Sequence, residues 1–153
     1  MMLSGRGYNL YEISNASKPG RECRHNLKYW SYEEYLGLGL GASSVLAGYR
    51  FRNTSKMKEY LKYIRAGMPP VKPEDVENYT KRDEMGIYVF TGLRKREGFD
   101  INEFESIFGV DFFKVYEPSL LDEFRGCLEV NGSVMRLTER GIDISNRIMA
   151  AFV

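Results

Sequence analysis

The chain has 153 residues, of which 43% are hydrophobic and 28% charged, and this composition excludes wholesale disorder. A formal charge of +1 excludes a strong overall attraction to nucleic acid or to an anionic membrane. No apolar run approaches the roughly 20 residues that a membrane-spanning helix needs, and the N-terminus lacks the apolar core of a signal peptide. The two cysteines, Cys23 and Cys127, match no metal-ligand spacing, so we expect a reducing, cytoplasmic location and no disulfide framework.

Residues 1–54 are rich in glycine, tyrosine and serine, which predicts short strands joined by long loops. A strand is expected over residues 8–14, a short helix or turn over 29–36, and a second strand within 36–46. Strands of this composition suit the interior of a larger sheet, where each strand has a neighbour on both sides. These neighbours are missing from this half of the sequence, so we expect the chain to be truncated or to need a partner.

Helical patterns dominate from residue 55 onward. Ser55 is placed to cap a first helix, whose apolar face carries Met57, Tyr60, Leu61 and Ile64. The prolines at 69, 70 and 73 then predict a linker.

Thr80 predicts the start of a second helix, with one apolar stripe and with cations in its last turn. The stripe is Met85, Tyr88, Val89 and Leu93, and the cations are Lys95 and Arg96.

The last third of the chain carries further helix-end signals and one hairpin signal. The sequence DINE at 100–103 predicts a capping box, Pro118 the first residue of a helix, and Thr138 the cap of the closing helix. Asn131-Gly132 is the strongest short hairpin signal in the chain. Three helices, a two-stranded wing and a closing helix predict a winged-helix-like module.

His25 is the only histidine, and it lies close to Cys23 in the stretch CRHNLKYW. An imidazole and a thiolate can each ligate haem iron or a soft metal. The alternative is a loop histidine whose ring hydrogen-bonds a carbonyl. A tetrahedral zinc site would need more histidine or cysteine ligands than this chain supplies.

The glycines of YLGLGLGASS, at 37, 39 and 41, would let the backbone approach a cofactor closely. The run is not a phosphate loop, because the Lys-Ser/Thr pair is missing, and it lacks the spacing of a dinucleotide fingerprint. A tight strand in a crowded barrel explains it equally well.

The run LRKREGFD, residues 93–100, packs three cations beside an acid. It could bind a carboxylate-bearing ligand such as a porphyrin, or it could be a solvated helix end. Arg140 and Arg147 on the last helix raise a DNA-binding alternative, although Glu139 and Asp143 dilute that basic face. No constellation of side chains at catalytic spacing emerges.

Several stretches together resemble one known family. YEISNASKPGRECRHNLKYW (residues 11–30), YLGLGLGASS, GLRKREGFD and RLTERGIDISNRIM (136–149) follow one another as in the radical S-adenosylmethionine proteins of the coproporphyrinogen III oxidase and haem-chaperone family. The similarity spans nearly the whole chain. Ser43 departs from the family pattern, in which a histidine commonly follows the alanine of the glycine-rich strand.

The resemblance implies an α/β fold, in which the terminal strands of an incomplete radical S-adenosylmethionine barrel precede a mostly helical, winged-helix-like C-terminal domain. Residues 1–54 would be the truncated end of the barrel, 55–79 a helix and linker, and 80–153 the C-terminal domain of the family.

The resemblance also implies haem as the bound group, and the HNxxYW pattern looks like the haem-chaperone branch. By this carry-over His25 is the candidate ligand of haem iron, Cys23 is the weaker candidate, and Asn26, Tyr29 and Trp30 shape the pocket. Gly39 and Gly41 are further candidate cofactor contacts.

The full-length family also uses S-adenosylmethionine and a [4Fe–4S] cluster, but the cluster motif CxxxCxxC has no counterpart here. We therefore expect a C-terminal fragment of a haem chaperone and assign no enzymatic activity to this chain alone. Its expected partners are haem, the missing N-terminal barrel segment and haem-receiving proteins, with no nucleic acid and no transmembrane segment. The alternatives are part of an oxygen-independent coproporphyrinogen III oxidase, and a winged-helix interaction or nucleic-acid-binding module.

Overall fold

The computed structural model describes residues 3–153, and over these residues the chain is an α/β protein, as predicted. The chain divides into two compact units. The larger unit joins the described part of Met1–Tyr32 to Lys81–Val153, and the smaller unit is Glu33–Thr80. These units group residues by packing alone, so the predicted domain bounds of 1–54, 55–79 and 80–153 stay a prediction.

A short 3-10 turn at Ser4–Arg6 precedes the strands and longer helices of the described chain. In chain order these are β1 (Asn9–Leu10), β2 (Ala16–Ser17), α1 (Arg24–Trp30), β3 (Ser43–Leu46), β4 (Tyr49–Asn53), α2 (Met57–Arg65), β5 (Val71–Asn78), α3 (Lys81–Gly92), β6 (Phe99–Asp100), α4 (Ile101–Phe108), α5 (Phe112–Val115), α6 (Pro118–Glu123), β7 (Leu128–Asn131), β8 (Val134–Leu137), α7 (Glu139–Asp143) and α8 (Ser145–Ala150).

The larger unit contains two antiparallel sheets. β1 pairs with β2, and β8 lies between β6 and β7 in a three-stranded sheet. Asn131 pairs with Val134 across the β7–β8 hairpin, so the two turn residues are Gly132 and Ser133. The hairpin prediction is confirmed.

The core of the larger unit is aromatic. Phe104 of α4 is fully buried, and its ring centroid lies 4.8 Å from that of Phe108, 5.2 Å from that of Phe112 and 5.7 Å from that of Tyr88. Such tilted and edge-on ring pairs add to the free energy gained by burying apolar area. The predicted stripe faces this core, since Met85, Tyr88 and Val89 of α3 are buried, as is Leu93 just after the helix.

Two predicted side-chain caps form in the larger unit, at Asp100 and at Thr138. The Asp100 carboxylate accepts a hydrogen bond from the Asn102 amide at 2.8 Å, and Thr138 Oγ1 accepts one from the Gly141 amide at 3.1 Å. Pro118 is the first residue of α6. The capping box is only half formed, because the Glu103 carboxylate accepts a hydrogen bond from the Tyr88 hydroxyl.

The smaller unit contains a three-stranded antiparallel sheet in the order β3-β4-β5. Along the chain, the helix α2 lies between β4 and β5. Within Glu33–Thr80, all of which is described, the buried residues are Ser44, Asn53 and Thr54. Hydrophobic side chains of this unit remain partly or largely exposed, and Leu38 is 85% exposed.

Several predicted elements before residue 80 are wrong in place or type. The short helix or turn expected over 29–36 is only partly correct, because α1 ends at Trp30 and a turn follows at residues 31 and 32. We expected two strands before residue 55, and the structure has two more, at Ala16–Ser17 and Tyr49–Asn53. The proline-containing linker is largely the strand β5, in which Pro73 lies at an irregularity of the pairing with β4.

Three helix ends also differ from the prediction. Ser55 does not cap α2; Thr54 Oγ1 accepts a hydrogen bond from the Lys56 amide and donates one to Glu59. α3 ends at Gly92, so Lys95 and Arg96 lie in the following turns. The closing helix is interrupted at Ile144 and forms α7 and α8.

Over residues 3–153, no helix combines the length and the apolar composition needed to cross a membrane.

Candidate functional site

The HNLKYW stretch forms α1, a helix of seven residues in the larger unit. Cys23 stands at its N-cap with extended backbone dihedrals, and its side chain makes no capping hydrogen bond. None of the helical residues is fully buried. A helix this short is marginal by itself, so contacts with the rest of the unit must stabilise it.

The outer face of α1 presents the candidate iron ligands. His25 and Cys23 are both exposed. The imidazole packs edge-on against Tyr29, with ring centroids 4.8 Å apart and an interplanar angle of 84°. The predicted pair His25 and Tyr29 is therefore brought together on one helical face, one turn apart.

The inner face of α1 holds the other two predicted residues of this stretch. Asn26 Nδ2 donates a hydrogen bond to the Tyr11 hydroxyl at 3.3 Å. The Trp30 ring lies under the Arg94 guanidinium, whose carbon is 4.2 Å from the ring centroid. These two side chains thus contact other parts of the larger unit.

Arg94 and Glu12 are the residues that the sequence reasoning missed at this site. The Glu12 carboxylate is fully buried, 3.5 Å from Arg94 Nη2, and it also accepts hydrogen bonds from the Ser14 amide and from the Asn15 side chain. The sequence does contain a signal for Arg94, namely the run of cations at 93–100. That run is compatible both with ligand binding and with a solvated helix end.

The neighbouring cations of that run are engaged in surface ion pairs. Arg96 pairs with Glu139, and Lys95 Nζ lies 3.9 Å from Glu97. Arg96 also lines an open cleft of about 480 Å³, together with Arg136, Arg140 and polar neighbours. The interpretation of this run as a porphyrin-carboxylate site stays a prediction.

Gly39 and Gly41 lie in the smaller unit, where they shape a turn before β3. Both have positive φ, of 102° and 68°, which residues with a Cβ rarely adopt. The Gly39 carbonyl accepts a hydrogen bond from Asn53 Nδ2 at 2.8 Å, and the Gly41 carbonyl accepts one from Arg52 Nε at 2.9 Å. These glycines therefore have a structural role, and their predicted cofactor contact stays a prediction.

The side chains present do not fit an iron–sulfur cluster. Over residues 3–153, no three His, Cys, Asp or Glu side chains converge as metal ligands. Of the two cysteines, Cys23 is exposed and Cys127 is buried, whereas a [4Fe–4S] cluster is held by three or four thiolates.

Comparison with known proteins identifies the class of this fold. Residues 79–144 match the model of the HemN C-terminal domain. A solved structure of coproporphyrinogen III oxidase (HemN) from Escherichia coli, described as a radical SAM enzyme, covers 99% of this chain with a TM-score of 0.71 and 17% identity. The match covers 38% of that HemN chain, and at this identity it shows the fold.

Curated relatives match the chain almost end to end. It is 35% identical to the haem chaperone HemW of Lactococcus lactis and 32% identical to that of Bacillus subtilis, each over 99% of its length. The chain spans 39% and 40% of the length of these two relatives.

These matches confirm the predicted resemblance. The chain carries a HemN C-terminal domain at residues 79–144, and its fold is similar to that of HemN. Its sequence is similar to part of the haem chaperone HemW of L. lactis and of B. subtilis.

Proposed function

We propose that this chain is the haem-contacting part of a haem chaperone, and that His25 ligates the haem iron. The observation that supports the proposal most is the position of His25 on α1, exposed and packed edge-on against Tyr29. The similarity to proteins named haem chaperones supports haem as the ligand.

Haem is the cargo in this proposal. An exposed imidazole can approach iron without unfolding of the helix, and neutral imidazole is a common haem ligand. The half-buried Tyr29 ring beside it offers an apolar surface for the edge of the macrocycle. Cys23 lies two residues before His25 and is also exposed, so its thiolate is the alternative ligand.

In this proposal, S-adenosylmethionine and the [4Fe–4S] cluster are bound by the full-length proteins of the family. Because the two cysteines here are too few for the cluster, we derive no radical step from these residues.

The fold match supports a proposal for the architecture as well. We infer that the strands of the smaller unit are terminal strands of an incomplete radical SAM barrel, and that residues 80–153 form a winged-helix-like C-terminal domain. The N-terminal barrel segment and haem-receiving proteins are the proposed partners, in the cytoplasm. A part in coproporphyrinogen oxidation is less well supported, because the oxidase shares 17% identity with this chain and HemW of L. lactis 35%.

Titration of the purified chain with haem tests the ligand assignment. His25→Ala should remove the Soret shift of bound haem and weaken binding at least tenfold, or about 1.4 kcal/mol. Ser31→Ala, just after α1, is the matched control and should leave the spectrum unchanged. If His25→Ala binds like the unaltered chain while Cys23→Ser does not, the thiolate is the ligand and the histidine assignment is wrong.

A further inference from the structure

We propose that Arg94, held by the buried Glu12, is a positioning residue that fixes α1 and thereby the direction of His25. The effect on haem binding rests on the proposed function. The contacts that fix α1 do not involve haem.

The helix α1 is stabilised mainly by the contacts of its inner face. α1 is seven residues long, has no side-chain N-cap and contains no fully buried residue. Its hold on the rest of the unit includes one hydrogen bond from Asn26 to Tyr11 and the stacking of Trp30 against Arg94. A guanidinium 4.2 Å above an indole ring is close enough for a strong cation–π contact.

Arg94 is itself held in place from two sides. Its Nη2 lies 3.1 Å from Ser14 Oγ and 3.5 Å from Glu12 Oε2. The Glu12 carboxylate is fully buried and the Arg94 side chain is 18% exposed, so this pair is screened little by solvent. Removing one partner would leave a charge buried without compensation, which is costly.

The backbone around this pair is also paired. The Ile13 amide donates to the Arg94 carbonyl at 3.0 Å, the Arg96 amide donates to the Tyr11 carbonyl at 3.1 Å, and Glu12 bridges to Lys95 in antiparallel fashion. The backbone of Arg94 is therefore fixed, and its guanidinium contacts Trp30 from a fixed position. Since Trp30 and His25 belong to the same short helix, a support at its C-terminal end sets the orientation of the whole helix.

The test compares Arg94→Gln and Arg94→Lys with Arg147→Gln. Arg147 is a matched control, because it also combines an aromatic ring, Phe124 at 5.9 Å, with a carboxylate, Glu123 at 2.8 Å, but on the exposed surface. We expect Arg94→Gln to speed amide hydrogen exchange in α1 at least tenfold while exchange in α4 is unchanged. Arg94→Lys keeps the cation over Trp30 and should restore most of the protection, and Arg147→Gln should change nothing in α1.

Haem binding provides a second measurement. A purely structural role of Arg94 would leave the spectrum of bound haem unchanged. Arg94→Gln should alter the spin state and the Soret band of bound haem, and the double variant with His25→Ala should bind no more weakly than His25→Ala alone. Additive losses, or unchanged α1 exchange in a folded Arg94→Gln variant, would overturn the positioning role. If the unaltered chain binds no haem, the proposed function fails, and the exchange measurement still decides whether Arg94 fixes α1.

Discussion

The two compact units of this chain are stabilised in different ways. The larger unit buries a cluster of aromatic rings around Phe104, whereas the buried side chains of the smaller unit are those of Ser44, Asn53 and Thr54. Hydrophobic burial scales with apolar area removed from water, so the larger unit has its own source of stability. The smaller unit depends on backbone pairing and polar side chains, and leaves leucines and methionines exposed.

The largest expected effect is the loss of a core ring. Phe104→Ala should lower the free energy of unfolding of the larger unit by about 3–5 kcal/mol, because a fully buried ring that touches three neighbouring rings would leave a cavity. Urea denaturation followed by circular dichroism measures the change. Leu61→Ala in the smaller unit is the comparison; Leu61 is 40% exposed, so its replacement should cost less than about 0.5 kcal/mol. Equal losses for the two variants would contradict the difference between the units.

The polar interior of the smaller unit gives the next largest effect. Asn53 Nδ2 donates to the carbonyls of Gly37 and Gly39, so Asn53→Ala should lower local stability by about 1–3 kcal/mol. The measurement is hydrogen exchange of the Gly41 amide, which donates to the Thr54 carbonyl at 3.1 Å. Asn78→Ala, at the exposed end of β5, is the control and should leave this exchange rate unchanged.

A smaller loss is expected at the cap of α7. Thr138→Ala removes the acceptor of the Gly141 amide and should cost about 1–2 kcal/mol of unfolding free energy in thermal or urea unfolding. Thr138→Ser keeps the hydroxyl and should recover most of the loss. A serine variant as unstable as the alanine variant would show that the methyl group, and not the cap, stabilises this helix.

The smallest effect at neutral pH concerns Tyr88. Burial, reinforced by the hydrogen bond to Glu103, raises the pKa of its hydroxyl well above the ordinary value of 10.0. A raised pKa means that the folded chain holds the proton more tightly, so this stability is present below pH 10 and is lost as the pH rises above it. Unfolding measured between pH 8 and pH 11 should show a steeper decline for the unaltered chain than for Tyr88→Phe. Parallel declines would show that Tyr88 does not contribute.

Local signals predicted much of the larger unit. The stripe of α3, the cap at Asp100, the start of α6 and the β7–β8 hairpin depend on residues close in sequence, and all are confirmed. The smaller unit was predicted less well, because the prolines at 69, 70 and 73 predicted a linker where β5 forms. Its pairing with β4 is a tertiary effect that overrides local propensity.

The candidate site shows the same limit. The resemblance singled out His25 and Tyr29, and the structure places them in contact. The support beneath them comes from Glu12 and Arg94, which are separated by 82 positions, and no spacing rule predicts a contact over that distance. The buried carboxylate in particular has no signal in the sequence, since Asp and Glu are rarely fully buried unless paired.

The position of Pro73 has a consequence for how this chain meets other chains. Strand β5 forms an outer edge of its sheet, and Pro73 lies where the register with β4 is irregular. A proline has no N–H to offer to an incoming strand, and the acidic side chains that follow it repel a second copy of the same edge. The β5 edge of the sheet thereby discourages the addition of another strand, and this argument does not extend to the opposite edge at β3.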